Sequence, residues 1–349
     1  MKKRLSKSFK RFVVTLEVIL FILVLLLLYN FFLPLGNGKK TVYFTDGNLS
    51  AIIDDLRRNG YNITDWDHYL LSTLTLPAKG WYELSHTNGG RYHFFKHLKD
   101  TPAKTMKIKV YAGETKEEIV QRLANDLKLD ESKLMKFYLG HTIFQEADIF
   151  AGTYEIARSA DENSSISYLF EHSEKMLKSF EKNHFIQETD HNTIKLLLTI
   201  ASIIQKETND PKEMPLIASV IYNRLEKNMK LQMDGTLNYG KYSHSIVTPE
   251  RIKNDNTYYN TYKYKGLPPA PLAAVSMKAL KAALYPAESK YLFFMLNKEG
   301  GHVFSETYKK HLASLKAFRE YQKEKKRLKE EEEKKKHPLI REGNRTKKP

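Results

Sequence analysis

Residues 12–35 read FVVTLEVILFILVLLLLYNFFLPL and follow directly on a segment, residues 1–11, that carries six positive charges and no acid. Few structures accommodate such a run. From Val18 to Leu35 only Asn30 and Pro34 interrupt apolar residues, and Glu17 is the one acid within residues 12–35. About 20 apolar residues in a helix cross a hydrocarbon core. The apolar part of a cleavable signal peptide is shorter, roughly 7–15 residues, and is followed by a small-residue site. The sequence therefore predicts a retained transmembrane anchor over 12–35. A buried core helix is the alternative, and it fits poorly a run this apolar on all sides behind a cationic end. By the positive-inside rule, residues 1–11 (Lys2, Lys3, Arg4, Lys7, Lys10 and Arg11) form a cytoplasmic tail. The chain beyond about Gly36 then faces the periplasm or its equivalent. No second run of this kind occurs, so the expectation is a single-pass protein of the cell inner (cytoplasmic) membrane. ATP-driven chemistry has no fuel there, and the sequence holds no Walker loop or dinucleotide fingerprint.

The net charge of +16 invites a polyanion-binding reading. Its distribution argues otherwise. Residues 1–11 carry +6 and residues 319–349 carry +6, which leaves +4 on the 307 residues between. A nearly balanced body is weak support for a nucleic-acid groove, and no nucleic-acid partner is expected. The chain has no cysteine, which removes disulfides, thiolate nucleophiles and Cys-ligated zinc. Apolar residues make up 41%, enough for a packed core.

The exported part reads as α+β. Residues 36–105 form a membrane-proximal subdomain, with a strand at 41–45, a short helix marked by Leu49, Ile52, Ile53 and Leu56, a strand at 80–84 and a turn at Asn88-Gly89-Gly90. Residues 106–155 start with the alternating strand MKIKVY. Gly113 then turns the chain, and Thr115 with Glu118 makes a capping-box pattern before two short helices. Strand, capped helix, helix is the order of a small carbohydrate-binding LysM-like subdomain, although many unrelated α+β units share it. Residues 156–318 form the larger domain. Within it lie a helix over NTIKLLLTIASIIQKETND that Pro211 stops soon after its end, a helix over MPLIASVIYNRLEKN with Pro215 in its first turn, and an irregular stretch over 231–266. GLPPAP, a helix from about Ala273 to Leu284, a strand at 291–296 and GGHVFS complete it. Residues 319–349 are a charged tail, read as a solvated helix supported by i,i+4 pairs from Tyr321 to Lys336.

Glu207 is the candidate acid. It shares a helix face with Ile200, Ile203 and Ile204. A carboxyl held against apolar packing resists ionisation and can serve as a general acid near neutral pH. The alternative is a frayed helix end facing water, and spacing alone leaves both open. Polar groups suited to a sugar follow: Asn223 and Arg224, then Gln232 and Asp234, then Tyr258, Tyr259, Asn260, Thr261 and Tyr262. Loop packing explains the tyrosine-rich stretch equally well. His302 follows a glycine turn, and structural and ligand roles both remain open for it. There is no HExxH and no metal spacing among the twelve histidines, so no metal site is expected; nor is there a GxSxG or SxxK.

ASIIQKET (201–208), IASVIYNRL (217–225), LQMDGTLNYG (231–240), YNTYKYKGLPPAPLAAV (259–275) and GGHVFSETYKKH (300–311) occur in this order. Together they resemble the endolytic murein transglycosylases, the MltG or YceG-like family. The match is strong over about 190–320, and the LysM-like segment and anchor fit that family's architecture. The resemblance implies that Glu207 is catalytic, as the second acidic position of a motif like E-K-E-T. The first position is Gln205 here. A D-P-T-like turn reads Asp234-Gly235-Thr236, and a G-L-P-P-G-like turn carries Ala270. These departures bear on the shape of the sugar site and leave the acid in place.

What the resemblance implies is a lyase with no cofactor. It would cut the MurNAc–GlcNAc β-1,4 bond within nascent peptidoglycan strands, leave a 1,6-anhydroMurNAc end and so terminate strand elongation. Its partners would be glycan strands and the membrane, with peptidoglycan synthases as a further open possibility. The alternatives are a non-catalytic peptidoglycan-binding scaffold, which the change at Gln205 makes conceivable, and a conventional glycoside hydrolase.

Overall fold

The computed structural model describes residues 7–33, 35–84, 90–187 and 189–336. Helix α1 (Lys7–Phe32) covers the apolar run, and almost every side chain from Phe12 to Leu28 is exposed along it. It is long and apolar enough to cross a membrane. The described residues fall into two compact units. One holds the chain up to Lys109 with Val120–His141 and Thr153–His172. The other holds Val110–Ile119, Thr142–Gly152 and the chain from Ser173 onward.

The first unit contains a two-stranded antiparallel sheet. Strand β1 (Thr41–Phe44) pairs with β2 (Gly80–Glu83), with Thr41 opposite Glu83 and Phe44 opposite Gly80. Helix α2 (Leu49–Arg58) starts where the Asn48 side chain accepts the Ala51 N–H at 2.9 Å. Its Ile52, Ile53 and Leu56 pack with Val42, Phe44 and Leu71 in a buried apolar core. Two further short helices, α3 (Asp65–Ser72) and α4 (Gly90–Lys96), were not foreseen. The expected turn at Asn88-Gly89 lies outside the described residues. Strand β3 (Thr105–Val110) neighbours β4 (Gly152–Ala157) in a second sheet, and α5 (Lys116–Leu127) and α6 (Glu131–His141) lie between them in sequence. Glu118 accepts the Thr115 N–H at 2.8 Å, as the capping-box pattern requires. Helix α7 (Glu162–His184) follows.

The core of the second unit is built on α8 (His191–Glu207), α9 (Met214–Glu226) and α11 (Met277–Leu284). Helix α8 begins at Asp190, whose carboxylate accepts the N–H groups of Asn192 and Thr193 at 2.9 and 3.1 Å. It is buried on nearly every side from Leu197 to Gln205. It stops because Thr208 turns extended, at φ −149°. The irregular stretch holds two 3-10 turns (Asp234–Leu237 and Gly240–Tyr242) and a short helix, α10 (Pro249–Asn254). Helix α11 starts four residues later than the sequence predicts. Residues 272–275 stay outside the helix because backbone groups among them are already bonded. The Ala274 N–H donates to Glu114 O, the Gly113 N–H donates to Ala274 O, and the Ala151 N–H donates to Val275 O. Ser276 then caps the helix. Strands β5 (Phe293–Leu296) and β6 (His302–Ser305) form an antiparallel hairpin with Leu296 opposite His302. Helix α12 (Tyr308–Lys336) runs on past residue 319.

Candidate active site

Glu207 is the last residue of α8 and is partly exposed, while Ile200, Ile203 and Ile204 beneath it are fully buried. Its Oε1 accepts the Gly235 N–H at 3.1 Å. The approach is close. A Cβ on Gly235 would lie 2.9 Å from Glu207 Oε1 and 2.7 Å from Lys206 Cβ, so only glycine fits without displacing one of them. Four influences act on the carboxyl. Burial is the largest and raises its pKa; the negative charge of Asp234 adds to it. The Gly235 N–H and the charge of His302 oppose them. The result is a pKa raised to about 7. Such a carboxyl is present in both protonation states near neutral pH.

Asp234 and Tyr262 lie beside it. The Tyr262 hydroxyl donates to Asp234 Oδ1 at 2.6 Å, and burial raises the Tyr262 pKa, so that hydroxyl stays protonated. His302, at the start of β6, is held by Glu213 just before α9. Glu213 Oε1 accepts the His302 N–H at 2.6 Å, and Oε2 lies 2.7 Å from the ring Nδ1. Burial works against ionising Glu213, but the bonds from His302 and from the Thr208 hydroxyl outweigh it and hold its carboxyl below the usual range. With Nδ1 engaged, the other ring nitrogen is the one left to face a ligand.

Lys206 turns away from Glu207. Its ammonium donates to Gly113 O at 2.7 Å and to the Ser243 hydroxyl at 3.0 Å, and burial lowers its pKa. Gln205 is buried. It accepts from the Ser276 hydroxyl at 2.8 Å and donates to Asn209 at 2.7 Å, which ties the end of α8 to the cap of α11. An amide meets both demands, since it offers an acceptor and a donor together.

The other candidates are placed differently. Asn223 spends both amide protons on the carbonyls of Ser289 and Tyr291, each at 2.9 Å. Arg224 is buried, donates to the carbonyls of Leu292 and Leu231, and lies 5.2 Å from the Phe293 ring centre. Asn260 donates to the carbonyls of Ile252 and Asp255, both at 2.8 Å. Buried Thr261 joins the Thr236 hydroxyl at 2.9 Å and accepts the Met233 N–H. These four brace the loops. Tyr259 stacks on Tyr239 at 4.4 Å, while Gln232 and Tyr258 are exposed. The structure thus gathers Asp234, Tyr262 and His302 around Glu207. It adds Gly235, which the sequence marked only as a departure in a turn, and Glu213, which sequence reasoning missed; their partners lie 28 and 89 residues away.

Comparison with known proteins bears on this arrangement. The signature of the YceG-like family matches residues 44–317, and the chain belongs to that family. It is similar to a protein of Bacillus subtilis (strain 168) named endolytic murein transglycosylase, 34% identical over 168 residues, which is 48% of this chain and 46% of that protein. A protein of the same name from Streptococcus pneumoniae serotype 2 is 32% identical over 46% of this chain and 29% of its own length. The match thus spans less than half the length of these curated relatives. A crystal structure of a putative YceG-like protein from Listeria monocytogenes superposes with a TM-score of 0.52 at 25% identity, covering 78% of this chain and 97% of that one.

Proposed function

We propose that this chain is a membrane-anchored lytic transglycosylase of peptidoglycan, cutting the MurNAc–GlcNAc β-1,4 bond within a glycan strand. The observation that carries the reading is the Glu207 carboxyl: half-buried, at the end of a rigid helix, and poised with a pKa of about 7 between opposing influences. The names of the relatives support the substrate class.

Glu207 acts first as a general acid. Its proton passes to the glycosidic oxygen as the bond from C1 breaks. The carboxylate left behind is stabilised by the Gly235 N–H and the His302 charge. It then takes the proton of the MurNAc C6 hydroxyl, whose oxygen closes on C1 to form the 1,6-anhydro ring. Glu207 ends protonated, as it began. A tethered nucleophile has a high effective molarity, so one carboxylate suffices where ordinary glycosidases use two. Asp234, Tyr262 and His302 are the groups we assign to the sugar around the scissile bond. Gln232 and the ring of Tyr259 lie further along the same loops.

In this reading α1 is a single-pass anchor with its N-terminus in the cytoplasm, and the site works where new strands emerge. The β3–α5–α6–β4 segment is taken as a LysM-like subdomain next to a larger catalytic domain, and peptidoglycan synthases are the natural partners of an enzyme so placed. Digestion in oxygen-18 water tests the reaction class. The proposal expects no label at the new MurNAc end and a mass one water lower than a reducing end. Labelled reducing ends would instead make the protein a hydrolase.

A further inference from the structure

The exit of the apolar helix is bonded into the fold that follows it. Tyr29 stands at the C-terminal end of α1, and its hydroxyl joins the Thr64 hydroxyl at 3.1 Å and the Asp67 carboxylate. Asn30 Oδ1 accepts the Tyr92 N–H at 2.8 Å. Arg91 closes the junction. It is 1% exposed, donates through Nε to Asp67 at 2.9 Å, reaches the carbonyls of Leu33 and Asn62, and lies 5.3 Å from the Tyr29 ring centre. Thr64, Asp67, Arg91 and Tyr92 are therefore fixed to the last turn of α1. A buried ion pair with this many bonds does not slide.

The two short helices on this junction turn aromatic rings outward. Trp66 is 71% exposed, Tyr69 68% and Tyr92 47%. Trp66 and Tyr69 are three residues apart on α3, with ring centres 6.0 Å apart. The Lys96 ammonium lies 6.0 Å from the Tyr92 ring. The chain's other tryptophan, Trp81, is 5% exposed. The Cα of Trp66 is two residues from that of Thr64, hence within about 7.6 Å of it. The backbone that carries Trp66 and Tyr92 accordingly lies beside the end of the apolar run, and Tyr69 is the ring neighbour of Trp66. Tryptophan and tyrosine, each with an apolar body and a polar edge, favour that level of a bilayer.

We propose that α3 and the start of α4 form a lipid-docking face, with Trp66, Tyr69 and Tyr92 seated in the headgroup layer of the membrane that α1 crosses. The proposal rests on the reading of α1 as a membrane span. A lone spanning helix leaves the unit it carries free to tilt. Three rings held to that helix by Tyr29, Asn30 and Arg91 supply a second contact and fix the first unit's attitude to the bilayer.

Tryptophan fluorescence tests it, because the chain has only Trp66 and Trp81. The full chain and Trp66→Phe are placed in phosphatidylglycerol–phosphatidylethanolamine vesicles, with and without lipid brominated high on its acyl chains. The difference between the two proteins is the Trp66 emission, and an unchanged Trp81 emission maximum checks the fold. The expected result is a loss of about two-fold or more of the Trp66 emission to brominated lipid, with little quenching by iodide in the water. Vesicle-bound protein whose Trp66 emission ignores brominated lipid and yields to iodide overturns the docking face alone. Protein that fails to float with the vesicles overturns the span, and the docking face with it.

Discussion

At Glu207 the decisive quantity is a balance. Burial and Asp234 push its pKa up, the Gly235 N–H and His302 pull it down, and it settles at about 7. An acid that must next act as a base needs that balance, because either extreme would block one half of the reaction. The protonated form starts the cycle, so activity falls as pH rises through about 7. Asp234→Asn removes a charge that favours the protonated form. The alkaline limb of the kcat profile should then move to lower pH, by up to about one unit; an unmoved or raised limb would separate Asp234 from the acid. Gly235→Ala places a methyl 2.9 Å from the Glu207 oxygen. It should lower kcat by about 100-fold and, because the same methyl meets Lys206 Cβ at 2.7 Å, lower thermal stability as well, measured by product formation and calorimetry. The buried face beneath Glu207 was legible in the sequence because isoleucines at helical spacing mark it, though spacing alone left the role of the carboxyl open. Glu213 was not. A carboxylate that meets its histidine across 89 residues leaves no local pattern.

Among the elements, strong periodicity decided what could be read. Helices α8 and α9 carry apolar residues at helical spacing between clear stops, and the strand–turn–helix start of α5 carries its own cap. Short helices such as α3, α4 and α10 have too few residues to show a period. The false start of α11 has a tertiary cause. Residues 273–275 have good helical propensity, but their backbone groups pair with 114 and 151, partners no local window contains. The same long-range pairing explains why polar residues near the acid in sequence are not all near it in space. Arg224 latches α9 to β5 through the Leu292 carbonyl and to the loop at Leu231. Arg224→Lys cannot keep that fork of bonds. It should cost about 1–3 kcal/mol of stability in denaturant unfolding and leave the pH profile where it was. A KM defect without loss of stability would make Arg224 a substrate ligand instead.

For the whole molecule, charge and hydropathy divide the chain into an apolar helix, two cationic ends and a body between them. The apolar helix follows one cationic end, a largely exposed helix over Tyr308–Lys336 leads into the other, and the body between is nearly neutral. A near-neutral body suits a glycan better than a polyanion. The YceG-like match over residues 44–317 includes the helix that ends in Glu207 and the loops around it. Whether that part performs the reaction rests on one side chain. Purified sacculi digested by the full chain and by Glu207→Gln, with the soluble fragments analysed by mass spectrometry, put the matter directly. The account predicts anhydro-ended fragments from the unaltered protein and none above background from a folded Glu207→Gln. Equal yields of those fragments from the two would contradict it.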